Sequence, residues 1–403
     1  MSDRLIFHID VNSAFLSWEA SRRVANGEPD LREIPSCIGG DPTKRTGIVT
    51  AKSIPAKKYG ITTGEPMSMA IRKCPSLVVV PPDFKLYMQC SKAFKAICQS
   101  YTPCMESFSI DEVFLDMSGM SKIYPDPLKV AHEIKDRIKN ELGFTVNVGI
   151  GQNKLCAKMA SDFEKPDRVH TLFPWEVPEK MWPLPVVDLF TCGKASAEKL
   201  TKEGIITIGD LAQASLLDLK RLLGEKGAEH LHRYANGIDD SAVSDKTEDA
   251  KGYSIETTVE EDLVDLDHIF HMLLAQADIV CARMRSEEAK CRCVAVSYRT
   301  IAWQNKSHQQ KLSEPTDTTE TIYEAAKKLI TEGWNKEPLR LIGLSLTDID
   351  RGGYEQMSFL IDEKKERLKK LDTALDSIRG KFGNQSIKRA STINAPVRRN
   401  RDA

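Results

Sequence analysis

Apolar and polar positions in the first part of the chain predict a small sheet with helices. An apolar strand is predicted at Leu5–Val11, with Asp10 at its end. The segment Ser107–Gly119 is rich in β-branched and aromatic residues around the pair Asp111–Glu112, which is typical of a strand or a hairpin. Helical periodicity and strict alternation predict the neighbouring elements: helices at Ser13–Ala25, Phe84–Tyr101, Pro127–Leu142 and Asn153–Phe163, and a strand at Thr145–Ile150. This order favours an antiparallel or mixed sheet with helices on one side, in which Asp10 and the acidic pair lie on adjacent strands.

Patterns in the rest of the chain predict three further segments. An insertion between the two acid-bearing strands has strands at Ile34–Gly39, Gly47–Ala51 and Leu77–Val80 and short helices near Ile54–Tyr59 and Met67–Cys74. Pro174–Ile238 is helical, with a helix, a glycine turn and a helix over Ala195–Leu211. Beyond a polar linker at Asp239–Lys251 come helices at Leu266–Ser286 and Thr319–Trp334, strands at Cys291–Thr300, His308–Leu312 and Leu339–Asp348, and a helical stretch that ends near Phe382.

Composition limits the compartment and the partners. The 403 residues carry a net charge of −1, so a nucleic-acid partner requires local basic patches. Seven basic residues supply positive charge after the linker, either on a phosphate-binding face or scattered over the surface: Arg283, Arg285, Lys290, Arg292, Arg299, Lys306 and Lys311. The ten cysteines lack zinc-site spacing and indicate reduced thiols. No apolar run approaches ~20 residues, so we expect a soluble, cytoplasmic protein without a membrane span.

The acids are the strongest candidates for chemistry. Two adjacent carboxylates in a strand-like segment are costly to bury unless a cation meets them, although an exposed hairpin tip is the alternative for Asp111 and Glu112. Asp10 adds a third carboxylate from an adjacent strand. Three acids on a sheet suit two divalent ions held by hard oxygen ligands, and Mg²⁺ is the natural choice because it shares substrate phosphates. This pattern alone does not distinguish a polymerase from a nucleotide cyclase.

Three other stretches carry open alternatives. Phe15 lies just inside the helix that starts after Asp10, where free amides attract phosphate, but a core aromatic is the alternative. The glycine turn near Gly204 suits either a DNA phosphate or a packed helical hairpin. The apolar peptide Gln356–Leu360 follows a glycine pair in a basic tail, so it fits a partner's groove or its own domain.

Four motifs in order resemble one known family: HIDVNSAF, SIDEVFLD, VNVGIGQNKLCAKMASDFEKP and the helix-hairpin-helix after Leu189. They resemble the Y-family translesion DNA polymerases, most closely the bacterial DNA polymerase IV branch. The resemblance implies a multidomain α+β fold, a right-hand polymerase with a ferredoxin-like palm, small fingers, a helical thumb with a helix-hairpin-helix and an α/β little finger. The implied limits are palm 1–15 and 81–173, fingers 16–80, thumb 174–240, linker 241–250, little finger 251–350 and tail 351–403.

The resemblance also implies residue roles. Asp10, Asp111 and Glu112 match the catalytic carboxylates, which with the carbonyl of Val11 would bind two Mg²⁺ ions, or Mn²⁺ in their place. Phe15 matches the steric gate that excludes a ribose 2′-hydroxyl. The remaining positions implied in nucleotide binding are Ser13, Ala14, Ile54, Lys57 and Lys165.

Partners follow from the same resemblance, and some positions depart from it. The peptide Gln356, Met357, Ser358, Phe359 and Leu360 resembles the motif that binds the sliding clamp, the β subunit. Primer-template DNA and dNTPs are the expected substrates, and we expect a monomer.

Three positions depart from the family pattern. Ile54 and Lys57 stand where the family usually has Tyr and Arg, and Ala14 replaces a bulkier aromatic. Lysine keeps the charge of Arg but loses its planar, bidentate fork.

The sequence therefore predicts a template-directed DNA polymerase for translesion synthesis that is recruited by the sliding clamp and copies with low fidelity. Two alternatives differ in class. A nucleotide cyclase on a similar sheet would cyclise nucleotides rather than extend a primer, and the helical hairpin disfavours it. A non-catalytic, clamp-bound DNA-binding homologue would not need Asp10, Asp111, Glu112 and Phe15, all of which are present.

Overall fold

The computed structural model describes residues 4–43, 47–246, 248–352 and 363–393, together with Ala395 and Val397. The chain forms two compact units. The first consists of Met1–Pro42 and Gly47–Thr247, and the second of Thr43–Thr46 and Glu248–Ala403. The predicted domain limits within these units stay a prediction. The peptide Gln356–Leu360, which is predicted to bind the sliding clamp, lies outside the described residues.

The first unit contains two sheets and a set of helices. In chain order its elements are β1 (Ile6–Val11), α1 (Ala14–Ala25), β2 (Ser36–Gly39), β3 (Val49–Lys52), α2 (Ile54–Lys57), α3 (Met67–Lys73), β4 (Val78–Val80), α4 (Phe84–Gln99), β5 (Met105–Ser107), β6 (Glu112–Asp116), α5 (Pro127–Leu142), β7 (Val146–Gly151), α6 (Lys154–Asp162), β8 (Val169–Leu172), α7 (Lys194–Lys202), α8 (Ile208–Gln213), α9 (Leu216–Leu223) and α10 (Glu225–Ala235).

The larger sheet has the order β5-β6-β1-β7-β8. β1 pairs antiparallel with β6 and β7, and β7 pairs parallel with β8, so the predicted mixed sheet is confirmed. All six residues of β1 are buried. Its side chains alternate: Phe7 and Ile9 join the core formed with α4 and α5, whereas Ile6 packs with Ala157 of α6.

The expectation that the helices lie on one side of this sheet is wrong for α6. Glycines in β7 allow α6 to approach the face opposite α4 and α5. A Cβ added to Gly149 would lie 2.0 Å from the carbonyl oxygen of Ala157, and one added to Gly151 would lie 2.7 Å from the Ala157 amide. This close approach places α6 beside the acid-bearing ends of β1 and β6.

The smaller sheet of the first unit has the order β3-β2-β4 and confirms the three strands predicted for the insertion. β2 pairs antiparallel with β3 and parallel with β4. Along β3, Val49 and Ala51 are buried while Thr50 and Lys52 are partly exposed. A strand places alternate side chains on opposite faces, so Thr50 and Lys52 share one face.

The helices α7–α10 have their own apolar core, which includes Leu200, Ile208 and Leu231. α7 ends before Gly204, which adopts φ +81, a conformation that glycine tolerates best. Thr207 then caps α8, with a reciprocal bond from its backbone to Asp210. The predicted helix, glycine turn and helix are therefore confirmed.

The second unit has one four-stranded antiparallel sheet, ordered β11-β10-β12-β9. Its elements are β9 (Tyr253–Leu263), α11 (Leu266–Ser286), β10 (Lys290–Thr300), β11 (Asn305–Thr316), α12 (Thr319–Gly333), β12 (Leu339–Asp350) and α13 (Glu363–Phe382). β9 was not predicted, although Tyr253, Ile255, Val259 and Leu263 alternate with polar residues along it and lie in or against the core. β11 is longer than the predicted His308–Leu312; its residues are mostly polar, so apolar alternation does not mark its ends.

Helix α13 is held by buried charges. The Arg379 guanidinium donates to both carboxylate oxygens of Asp278, at 3.2 and 2.5 Å, and these side chains are almost fully buried. Arg285 donates to Asp376 at 2.7 Å, and Arg389 donates to Asp372 at 3.1 Å. Helix α13 is thus packed on α11.

No helix among the described residues is both long and apolar enough to cross a membrane.

Candidate active site

The three predicted acids lie at one end of the larger sheet. Asp10 and Glu112 are register partners in the pairing of β1 with β6. Asp111 lies in the connection just before β6, and its carbonyl accepts a hydrogen bond from the Val11 amide at 3.1 Å. The Ser109 hydroxyl donates to the Asp111 carboxylate at 2.6 Å. Asp10 and Glu112 thus lie on adjacent strands, as predicted, whereas Asp111 lies in the partly exposed connection that leads into β6.

Two lysines meet these carboxylates. Lys158 Nζ lies 2.9 Å from Glu112 Oε1 and 4.0 Å from Asp10 Oδ2. Lys165 Nζ contacts Asp10 Oδ2 directly and lies 2.8 Å from Asp162. Burial works to lower the pKa of both lysines, but the carboxylate of Asp10 and its neighbours raise it. Both ammonium groups are therefore charged, and they neutralise the carboxylates of Glu112 and Asp10.

The environment of Glu112 keeps this carboxylate ionised. Burial works to raise the pKa of Glu112, but the ammonium group of Lys158 outweighs it, and the pKa is lowered to about 2. The nearest atoms of His8 and Glu112 are 3.8 Å apart, which is too long for a hydrogen bond, so Lys158 is the direct partner. Burial lowers the pKa of His8, and its Nδ1 lies 2.8 Å from the Ser161 hydroxyl. The neutral His8 ring thus joins β1 to α6.

Burial is also the largest influence on the pKa of Asp10. Its pKa is raised above the ordinary value because burial disfavours the charged form, and Lys165 and Lys158 oppose this rise. A charged Asp10 therefore depends on nearby cations, which makes this carboxylate a strong attractor for them.

A cleft of about 470 Å³ opens beside the acids within the first unit. Its lining includes Asp10, Asp111 and Lys165 together with residues of β3 and α2. Its lining includes every residue predicted to bind nucleotide: Ser13, Ala14, Phe15, Ile54, Lys57 and Lys165. Glu112 is not part of this lining and lies behind it, against Lys158.

Phe15 is fixed at the edge of the cleft by other aromatic rings. It stacks on Tyr87 with ring centroids 4.6 Å apart and an interplanar angle of 12°. Trp18 and Phe84 pack against it at 5.9 and 6.2 Å. Phe15 therefore packs against the core and lines the cleft at once, so the two interpretations of this residue are compatible. Ser13 before it adopts φ 48 at the start of α1, without a side-chain capping bond.

The donor set fits divalent metal ions. Three carboxylates and the Val11 carbonyl are hard oxygen donors of the kind that Mg²⁺ prefers. Within the described residues no group of three His, Cys, Asp or Glu is arranged to hold a metal, and the ammonium groups of Lys158 and Lys165 contact Glu112 and Asp10 instead. The positive charge already drawn to Asp10 and Glu112 shows that this site favours cations.

Three residues of the site were missed from sequence. Lys158 lies in an apolar helical stretch, and a buried lysine there signals a carboxylate partner. His8 sits two residues before Asp10 and shares its face of the strand. Lys52 lines the cleft on the same strand face as Thr50. Lys165, predicted to hold a triphosphate, lines the cleft but contacts Asp10.

Family models match successive segments of the chain, and similar proteins match nearly its whole length. The impB/mucB/samB family model matches residues 9–162, and the model of its C-terminal domain matches 250–359. The DNA polymerase-iota thumb domain matches 187–239. The DNA polymerase IV of Clostridium acetobutylicum is 43% identical over 392 residues, which cover 96% of this chain and 98% of that protein. DNA polymerase IV 1 of Bacillus subtilis is 34% identical, over 97% and 93% of the two chains.

The chain belongs to the Y-family DNA polymerases, in the DNA polymerase IV branch. A solved chimeric Y-family DNA polymerase matches 86% of this chain and all of its own, with a TM-score of 0.75 and 21% identity, which supports the fold. The predicted family and fold class are thus confirmed. In this Y-family member, the first family match contains the three acids, Phe15, Ile54 and Lys57 and ends shortly before Lys165.

Proposed function

We propose that the protein is a DNA-directed DNA polymerase for translesion synthesis, which adds deoxynucleotides to a primer end on a DNA template. The observation that carries this proposal is the meeting of Asp10, Asp111 and Glu112 beside a cleft edged by Phe15. Membership of the DNA polymerase IV branch supports the reaction, with primer-template DNA and dNTPs as substrates and a dependence on divalent metal ions. A nucleotide cyclase is disfavoured because the relatives are polymerases along their whole length.

We further propose that two Mg²⁺ ions bind to Asp10, Asp111, Glu112 and the Val11 carbonyl, with Mn²⁺ as a substitute. Bound there, such ions lower the pKa of an attacking 3′-hydroxyl and neutralise charge on the triphosphate. Asp10 and Asp111 would serve both ions, and Glu112 the ion on the primer side. Lys158 would then release Glu112 in part, because both groups compete for the same carboxylate.

The walls of the cleft orient the incoming nucleotide. Lys165 and Lys57 line it and would hold the triphosphate as point charges. Phe15, fixed on Tyr87, would lie against the sugar and exclude a ribose 2′-hydroxyl by steric clash. Ile54 is 57% exposed and offers an apolar surface where the family usually has tyrosine. The aliphatic Ile54 cannot donate a hydrogen bond to phosphate, which leaves that task to cationic side chains.

Recruitment and fidelity complete the proposal. The peptide Gln356–Leu360 would bind the sliding clamp through Met357, Phe359 and Leu360, and the family model for the C-terminal domain extends to residue 359. We propose low fidelity, a monomer and a cytoplasmic location. The ten cysteines are unpaired, which suits a reducing compartment.

The experiment that tests this function is primer extension by the purified protein on undamaged and lesion-containing templates. The metal is removed with a chelator and restored by titration of Mg²⁺ or Mn²⁺. We expect template-directed extension past at least one lesion and a strict requirement for added metal. Nucleotide addition to a primer in the absence of a template, or primer extension without any divalent ion, would refute the proposal.

A further inference from the structure

Lys52 lines the same cleft as the acids. It is the last residue of β3, and strand alternation places its side chain on the same face as Thr50, which also lines the cleft. Ala51 between them is buried and borders the cleft as well. Lys57 of α2 and Lys165 are part of the same lining. Three ammonium groups thus border one cavity of about 470 Å³.

The ammonium group of Lys52 is not neutralised by an ion pair with any residue that the structure describes. Its ammonium group donates to the Thr63 hydroxyl at 3.1 Å, and neither Lys52 nor Lys57 forms an ion pair with a described residue. Glu65, the carboxylate whose charge favours the charged form of Lys52, is itself paired with Lys73 at 2.5 Å. Thr63 lines the cleft as well, so this hydrogen bond holds Lys52 at the cavity rather than away from it.

The charge of Lys57 disfavours a second positive charge on Lys52. Burial, and after it the charge of Lys57, lowers the pKa of Lys52, while Glu65 acts in the opposite direction. Like charges that border one cleft and lack ion-pair partners favour an anion between them. The cleft also contains Asp10 and Asp111, where metal ions are proposed, whereas Lys52 and Lys57 come from β3 and α2.

We propose that Lys52 is a further ligand of the incoming nucleotide's triphosphate, acting with Lys57 and Lys165. This inference rests on the proposed polymerase function and deepens it. Ile54, which lies between Lys52 and Lys57 in the wall, has no polar group for a phosphate, and Lys52 supplies the missing donor. An ammonium group on a flexible stem suits a polyphosphate, because it needs charge more than a fixed planar geometry.

A triphosphate contact has a distinct kinetic signature. All four dNTPs carry the same triphosphate, so loss of Lys52 affects them equally, whereas a contact to a base edge would affect them unequally. For Lys52→Ala we expect the KM for every dNTP to rise about 10-fold, the size typical of one charge-assisted hydrogen bond, with a smaller change in kcat. Lys52→Arg, which keeps the positive charge, restores most of the affinity.

The matched control is Lys58→Ala. Lys58 is exposed, caps the end of α2 and is not part of the cleft lining, so its removal changes charge without touching the proposed site. We expect Lys58→Ala to behave as wild type. Thermal unfolding of each variant verifies that Lys52→Ala is folded.

A second measurement avoids the catalytic step. Binding of inorganic triphosphate to the full-length protein is followed by titration calorimetry in the presence of a chelator. Lys52→Ala should weaken this binding about 10-fold relative to wild type and Lys58→Ala. Unchanged triphosphate binding and unchanged KM, in a wild-type protein that extends primers, would overturn the role of Lys52 and leave the polymerase function standing. An absence of extension by wild type would instead refute the function itself.

Discussion

The close packing of α6 on β7 gives a sharp prediction for Gly149→Ala. The added Cβ would lie 2.0 Å from the Ala157 carbonyl oxygen and 2.4 Å from the Ser161 amide, both of which are backbone atoms. An ordinary contact begins at 3.4 Å, so the helix must move by about 1.4 Å or the strand must distort. Overpacking of this kind costs typically ~1–3 kcal/mol, which lowers the melting temperature by several degrees.

The same displacement reaches the active site, because α6 carries Lys158 and the Ser161 that holds His8. A misplacement of about 1 Å near a catalytic group costs up to ~100-fold in rate. We therefore expect Gly149→Ala to unfold at a lower temperature and to lose most primer extension. Gly119→Ala is the matched control, because a Cβ there meets no atom within 4 Å. The reasoning is refuted when Gly149→Ala and Gly119→Ala unfold at the same temperature and extend primers equally well.

Two further predictions concern selection and recruitment. Phe15→Ala should admit ribonucleotides, because the ring stacked on Tyr87 would no longer meet the 2′-hydroxyl; comparison of dNTP and rNTP incorporation checks this, and unchanged discrimination removes the gate role. Deletion of Gln356–Leu360 should abolish stimulation by the sliding clamp while basal extension persists, measured with and without the clamp. An equal loss of both activities would mean that the peptide supports folding.

The sequence predicted the placement of the acids because alternation and strand order are local signals. Asp10 ends an apolar run, and the acidic pair opens the next paired strand, so a shared sheet brings them together. Phe15 and the cleft residues followed from motifs that the family shares. These predictions needed no knowledge of how separate elements pack.

What the sequence did not predict depends on tertiary contacts. The face on which α6 packs is decided by Gly149 and Gly151, whose role appears only when a helix lies against them. Lys158 looks like a solvated helix residue until burial brings it to Glu112. Lys52 was part of a basic stretch without an assigned role, because the side on which β3 faces the cleft depends on the pairing with β2. Such residues are specified by packing and not by periodicity.

The most direct test of the account is the single-turnover rate of nucleotide addition by Asp111→Ala. Asp116→Ala is the matched control, since Asp116 lies at the far end of β6 and its carboxylate, among the contacts described, accepts only from the Ser118 amide and hydroxyl. We expect Asp111→Ala to retain its fold and DNA binding but to add nucleotide at least ~1,000-fold more slowly, because a metal-binding carboxylate is lost. Asp116→Ala should retain near wild-type rates. An Asp111→Ala protein that extends primers at the wild-type rate would contradict the assignment of the catalytic centre.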